Sequence, residues 1–260
     1  MNSKNCALIT GASSGIGLEL AKIHARQGGD LILVARSEDK LQQLKQQLEE
    51  QYSISVVAIV EDLSQNGAAS RVFSQTQAMG LAIDVLINNA GFGGHGLFHT
   101  RNLDTEEAMM QVNMRALTSL THIYLQGMVE RRRGRILNVS STASFVPGPL
   151  LAVYCATKAY VTSFSQAIAE EVAVYDITVT ALCPGPVKTG FIEAADLTGV
   201  AIFDRSKSAK SVAECGYKAM MRGDLVVFNE TKLKLLFNWV VPFLPRKLVL
   251  KSSRKAMEKS

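Results

Sequence analysis

Short apolar runs alternate with amphipathic stretches along most of the chain, and that alternation restricts the fold more than any other feature. The runs fall at Ala7–Thr10, Leu31–Ala35, Ser55–Val60, Val85–Asn88, Arg135–Ser140, Thr178–Leu182 and Leu225–Phe228. Each has strand length, and short continuous apolar strands belong to a sheet covered on both faces. Between them, Leu41, Leu44 and Leu48 repeat at helical spacing behind Ser37 as an N-cap, with Glu38 and Asp39 in the first turn. Thr105–Arg131 and Tyr154–Tyr175 read as further helices. The pattern predicts a single-domain α/β fold, a doubly wound parallel sheet of about seven strands with helices on both faces. Such sheets bind ligands beyond the carboxyl ends of their strands, and the chemically suggestive residues fall there or on the helices that follow.

The first strand runs into Thr10-Gly11-Ala12-Ser13-Ser14-Gly15-Ile16-Gly17, and a helical pattern follows from Leu18. Glycines let a backbone turn tightly and approach a pyrophosphate, while a helix N-terminus offers free N–H groups and positive potential. At the first βα junction such a turn points to a dinucleotide and to a Rossmann-type sheet. The second strand ends at Arg36, where this architecture reads the adenosine ribose. An acid there would repel a 2′-phosphate, whereas a guanidinium fork suits one, so the expected cofactor is NADPH/NADP+ over NADH. The plain alternative is a surface arginine paired with Glu38 or Asp39. Ser14 is a candidate hydroxyl donor, and Asp62-Leu63, after the third strand, is placed to flank the adenine. Asn88-Asn89-Ala90-Gly91 follows the fourth strand, where amides and small residues can hold backbone against a cofactor.

Tyr154 and Lys158 stand at i and i+4, on one face of a helix. A free phenol titrates at about 10, and an ammonium beside it would lower that value. Carbonyl reduction needs a hydride on carbon and a proton on oxygen; Tyr154 could give the proton while Lys158 tunes it and binds the nicotinamide ribose. Near the end of the preceding strand, Ser140, Ser141 and Thr142 are competing donors for the substrate oxygen.

In this order, the Gly-x-x-x-Gly-x-Gly turn, Asn-Asn-Ala-Gly, a serine, Tyr-x-x-x-Lys and a later Pro-Gly turn resemble the short-chain dehydrogenase/reductase family, from Cys6 to about Phe228. The resemblance implies a cofactor loop over Thr10–Gly17, with Gly11, Ser13, Ser14, Gly15, Ile16 and Gly17 as contacts. It places Arg36 where NADP-preferring members carry a basic residue and Asp62 and Leu63 at the adenine. It assigns Asn89, Ala90 and Gly91 to the motif supporting sheet and cofactor. Asn113 matches an asparagine that holds a proton-relay water near the lysine, and the thirteen-residue spacing to Tyr154 selects Ser141 over Ser140. Asn113, Ser141, Tyr154 and Lys158 thus form the implied catalytic set. Pro184, Gly185, Val187 and Thr189 match the turn that holds the carboxamide, with Val187 backbone and Thr189 hydroxyl in contact. Cys155 faces away by helical spacing and is expected to pack.

The formal charge of +5 is unevenly spread. Residues 231–260 hold eight basic residues against one acid, Glu258, leaving 20 basic against 22 acidic residues in the first 230. The basic character belongs to the tail and does not suggest a nucleic-acid-binding body, so no nucleic-acid partner is expected. Four scattered cysteines suggest neither disulfides nor a metal site, no signal peptide is expected, and a cytoplasmic location follows. Residues 1–230 read as the catalytic domain, with a substrate loop over about 191–213. Phe92, Phe145, Val146, Leu150, Leu151, Phe191 and Ile192 are expected as apolar walls, and His95 as a loop residue at the entrance. Such walls favour a lipophilic carbonyl or alcohol; a 3-oxoacyl thioester reductase and a non-catalytic NADPH-binding regulator are the alternatives. Residues 231–260 read first as an apolar arm packed on the body or on a partner in a homodimer, and second as an element resting peripherally on an anionic membrane.

Overall fold

The computed structural model describes residues 5–259. Seven parallel strands form the main sheet: β1 (Ala7–Thr10), β2 (Leu31–Ala35), β3 (Val56–Val60), β4 (Val85–Asn88), β5 (Gly134–Val139), β6 (Ile177–Leu182) and, at one edge, Val226–Val227, numbered β9. A separate two-stranded pair, β7 (Val187–Lys188) with β8 (Lys207–Ser208), precedes that edge strand in the chain. The order β3-β2-β1-β4-β5-β6-β9 reverses direction between β1 and β4, which opens a crevice at their carboxyl ends.

Alternate strand residues supply two cores. On one face Ile9, Leu33, Ile87 and Leu137 pack beneath α1 (Gly15–Arg26), α2 (Glu38–Tyr52) and α8 (Ala209–Arg222). On the other, Leu8, Ile32, Leu86 and Ile136 meet α3 (Ala68–Ala78), α5 (Leu117–Arg131) and the end of α6 (Ala152–Val172). The expected doubly wound α/β architecture is present; Ala7–Thr10, Leu31–Ala35 and Val85–Asn88 match the sequence pattern at both ends, and the other strands differ from it by one residue at one or both ends. The edge strand is shorter than expected because only Val226 and Val227 find a partner, on β6.

The expected helix over 105–131 begins earlier, as α4 (Leu103–Met110) capped by the Asn102 side chain, and widens into a π turn at Gln111–Ala116 before α5. A π turn disturbs the regular i→i−4 ladder, and here Asn113 sits inside it. After β9 the chain forms α9 (Thr231–Leu235), a π turn over Leu236–Val240, a short 3-10 turn, and α10 (Arg246–Met257). The short α7 (Phe191–Ala194) lies within the expected substrate loop, whose end is already α8.

Candidate active site

At the crevice, the glycine turn and the segment after β4 are stitched together. Asn89 Nδ2 donates to the Thr10 and Gly11 carbonyls at 2.9 and 3.2 Å, while the Thr10 hydroxyl accepts the Asn89 and Ala90 N–H groups at 3.0 Å. Gly11 and Gly15 adopt left-handed φ of +65° and +56°, which favours glycine at both. Gly17 is required for a different reason: a Cβ there would fall inside van der Waals contact with the Gly11 carbonyl oxygen and Asn89 Nδ2. Together these leave α1 with its N-terminus behind a turn of half-buried and exposed residues, Ser13, Ser14 and Ile16 among them. The geometry fits a pyrophosphate.

Arg36 lies exposed just beyond β2 and forms no ion pair with Glu38 or Asp39 among the described residues. Burial would raise the nearby Asp62 carboxyl, but hydrogen bonds from Ser64 and Gln65 and the charge of Arg36 together hold it below its usual range. Leu63, by contrast, turns its side chain into the core, so only its backbone is left to meet a ligand.

Tyr154 and Lys158 both project from α6 towards the end of β5, with the ammonium 5.8 Å from the phenol ring centroid. Lys158 Nζ donates to the Val139 carbonyl at 2.8 Å and is buried. Ser141 caps a 3-10 turn by accepting from Ala143 N at 3.1 Å, and its hydroxyl lies near enough to the Tyr154 phenol to favour the phenolate. That hydroxyl carries a single proton, which can turn from the phenol to a substrate oxygen placed between them. Ser140 points the other way, into the core, bonding the Lys158 carbonyl and Thr162 hydroxyl at 2.9 and 2.7 Å. Thr142 is held through its backbone, donating to the Pro184 carbonyl.

The expected electrostatic lowering of Tyr154 does not prevail in the chain itself. Burial raises the phenol above its ordinary value, only partly offset by Ser141, and burial pushes Lys158 down to about 8. A phenol that keeps its proton is the form a reduction requires of its donor. Asn113 uses its side chain as a clamp: Nδ2 donates to the Phe92 carbonyl and the Thr157 hydroxyl at 2.9 and 3.1 Å, and Oδ1 accepts from Phe92 N at 3.1 Å. It therefore positions the Gly91–Phe92 backbone against α6. A Cβ on Gly91 would stand 2.9 Å from Asn113 Oδ1 and 3.4 Å from Lys158 Nζ, so this approach needs glycine.

The Pro184–Thr189 segment closes the crevice from the β6 side. Gly185 N is held by Asn229 Oδ1, and the Val187 backbone pairs with Lys207. The Thr189 hydroxyl accepts from Phe191 N at 3.2 Å, and its methyl stands 3.2 Å from where a Gly15 Cβ would lie, so this segment faces the glycine turn. Of the expected walls, Leu151, Phe191 and Ile192 gather with Tyr154, with the Phe191 and Tyr154 rings 5.4 Å apart. Phe145 instead joins Phe228 and Phe237, and Phe92 packs against the sheet core. Cys155 packs in the wall cluster, its thiol pushed up to about 11 by burial, which suppresses the reactive thiolate.

His95 Nε2 bonds the Met257 carbonyl at 2.7 Å, and Lys259 pairs with Asp196 at 2.6 Å. The end of the tail is thus laid against the substrate loop. Sequence reasoning missed the buried amide ladder beneath the site: Asn88 Nδ2 donates to Asn138 Oδ1 and the Thr121 hydroxyl, and Asn138 Nδ2 to the Ser165 hydroxyl. The signal was available, since Asn88 and Asn138 interrupt otherwise apolar strands.

A phosphate turn and a Ser-Tyr-Lys cluster on a doubly wound sheet define a nicotinamide-dependent oxidoreductase site. The short chain dehydrogenase model matches residues 5–198, and the chain belongs to that family. A very-long-chain 3-oxoacyl-CoA reductase of Mus musculus is 35% identical over 187 residues, covering 70% of this chain and 59% of that protein. The match therefore spans 59% of the length of that relative. A short-chain dehydrogenase from Sphingobium yanoikuyae, solved in complex with NADPH, superposes with a TM-score of 0.83 at 30% identity, covering 88% of this chain and 89% of that one. The bulky-bulky ketone specific alcohol dehydrogenase of Comamonas testosteroni superposes with a TM-score of 0.78 at 29% identity, covering 87% and 86%.

Proposed function

We propose that this enzyme interconverts a bulky lipophilic ketone or aldehyde and its alcohol, using NADPH. The observation that carries the reading is the placement of Ser141 and Tyr154 together beside the apolar wall of Leu151, Phe191 and Ile192. The glycine turn, Asn89–Gly91, Val187 and Thr189 would hold the cofactor, and Arg36 would face its 2′-phosphate. When bound, NADPH supplies the hydride. Ser141 holds the carbonyl oxygen by its hydroxyl proton, and Tyr154 delivers its phenolic proton to that oxygen, leaving an alcohol. Lys158 stabilises the phenolate so formed. Asn113 acts as a positioning residue through Phe92 and Thr157. The activities for which the Comamonas and mouse relatives are named support a hydrophobic carbonyl. The mouse relative and the basic tail favour, as a second reading, a 3-oxoacyl thioester.

Two outcomes test this. In Arg36→Asp, NADPH affinity falls by about ten- to a hundredfold, the loss of one charged hydrogen-bonding site, while NADH affinity holds or improves. Equal NADPH binding by the variant, measured by titration calorimetry, contradicts the assignment. The second is a pH profile. Burial lowers Lys158 to about 8, so the ammonium is present below that value and is lost above it. The kcat/KM for carbonyl reduction falls as pH rises through about 8, and in Lys158→Arg, at a reduced rate, that limb moves to higher pH because a guanidinium stays charged. A limb unmoved by the substitution assigns the titration to another group.

A further inference from the structure

Only one side of the helical segment 231–243 is used by the catalytic body. Leu233 packs over Gly185, and Phe237 stacks on Phe145 and Phe228 with ring centroids 5.7 and 6.4 Å away. Five other apolar residues, Leu235, Leu236, Trp239, Val240 and Phe243, recur at i, i+1, i+4, i+5 and i+8 and remain exposed. Trp239 is 69% and Phe243 77% accessible, and Leu244, Leu248 and Leu250 extend the exposed apolar surface into α10. Isolated exposed leucines are ordinary, but a contiguous aromatic and aliphatic stripe calls for an apolar partner.

The charges select which partner. Lys232 and Lys234 precede the stripe and Arg246, Lys247, Lys251 and Lys255 follow it. All six are exposed, and none forms an ion pair among the described residues. A second copy presenting the same face would set these cations against their equals, while an acidic protein would satisfy them and leave the aromatic stripe in contact with polar surface. An anionic bilayer satisfies both at once: headgroup phosphates for the lysines and acyl boundary for the aromatics. No helix among the described residues is long and apolar enough to cross a membrane, which leaves the segment lying in the interface. We propose that residues 231–251 dock the enzyme on an anionic lipid surface, with Trp239 and Phe243 inserted at the acyl boundary. The docked segment packs directly on the Pro184-Gly185 turn at the crevice, so a lipid-borne substrate would arrive beside the site.

Trp239 is the only tryptophan in the chain, which makes its emission a private reporter. The full chain is titrated with phosphatidylcholine vesicles and with vesicles containing about one-third phosphatidylglycerol, without substrate or cofactor. The expected result is a blue shift with the anionic vesicles, partition at least about tenfold stronger than to phosphatidylcholine, and weakening in high salt. Leu236→Ser/Phe243→Ser loses the shift while reduction of a water-soluble ketone is unchanged. Emission unmoved by anionic vesicles overturns the proposal. So does a blue shift that grows with protein concentration alone, the mark of a second copy, or one produced by polyglutamate and not by vesicles. Because no turnover enters the lipid measurement, its failure leaves the carbonyl reading standing, and failure of that reading leaves the docking result intact.

Discussion

Tyr154→Phe loses carbonyl-reducing turnover by about 10³-fold while binding NADPH with near-normal affinity. The substitution removes one oxygen and its proton from a half-buried ring and keeps the ring itself, so the packing against Phe191 survives. What disappears is the phenol that stands beside Ser141 at the end of β5. Ser141 can still hold a carbonyl oxygen but donates a hydrogen bond without giving up its proton. Steady-state turnover alongside calorimetric titration with NADPH separates the two effects. A variant that turned over within about tenfold of wild type would move the donor role elsewhere.

A single methyl group should have the second largest effect. Gly17→Ala places a Cβ against backbone, the Gly11 carbonyl, and against the Asn89 amide that ties β1 to β4. Neither neighbour is a flexible side-chain end with space behind it, so the turn or α1 must shift. Overpacking of this kind costs about 1–3 kcal/mol. Expressed at the cofactor turn, that is about ten- to a hundredfold in NADPH affinity, with a lowered melting temperature as the companion signature. Thermal unfolding with and without NADPH tests it: the ligand-induced rise in Tm shrinks in the variant. An undiminished rise would mean that the turn tolerates a side chain and that its glycine serves another purpose.

The strands were legible because a doubly covered sheet requires continuous apolar runs, and Ala7–Thr10, Leu31–Ala35 and Val85–Asn88 carry little else. The Tyr154/Lys158 pair was legible only in company, since i, i+4 spacing alone fits many helices. The π turn around Asn113 left no such trace: a local shift of backbone hydrogen bonds does not alter side-chain periodicity enough to be seen. That turn helps set where Asn113 falls, and its amide is consumed by Phe92 and Thr157, a partnership between α-helical and loop segments far apart in sequence. The reversal of electrostatic emphasis at Tyr154 has a similar origin. Proximity to an ammonium can be read from spacing, whereas desolvation depends on how Leu151, Phe191 and the rest close over the ring. In the tail, composition displayed leucines, aromatics and lysines, but the choice of Leu233 and Phe237 as the packed face needed Gly185, Phe145 and Phe228 as the receiving surface.

The central claim is that Tyr154 protonates a hydrophobic carbonyl during NADPH-dependent reduction. Following NADPH consumption across ketones, quinones, steroids and oxoacyl thioesters of graded length, with wild type and Tyr154→Phe in parallel, tests it most directly. The expected result is turnover by wild type that strengthens with substrate bulk and apolarity and is nearly absent in the variant throughout. NADPH bound tightly but consumed with no carbonyl, or consumed equally by both proteins, would contradict it.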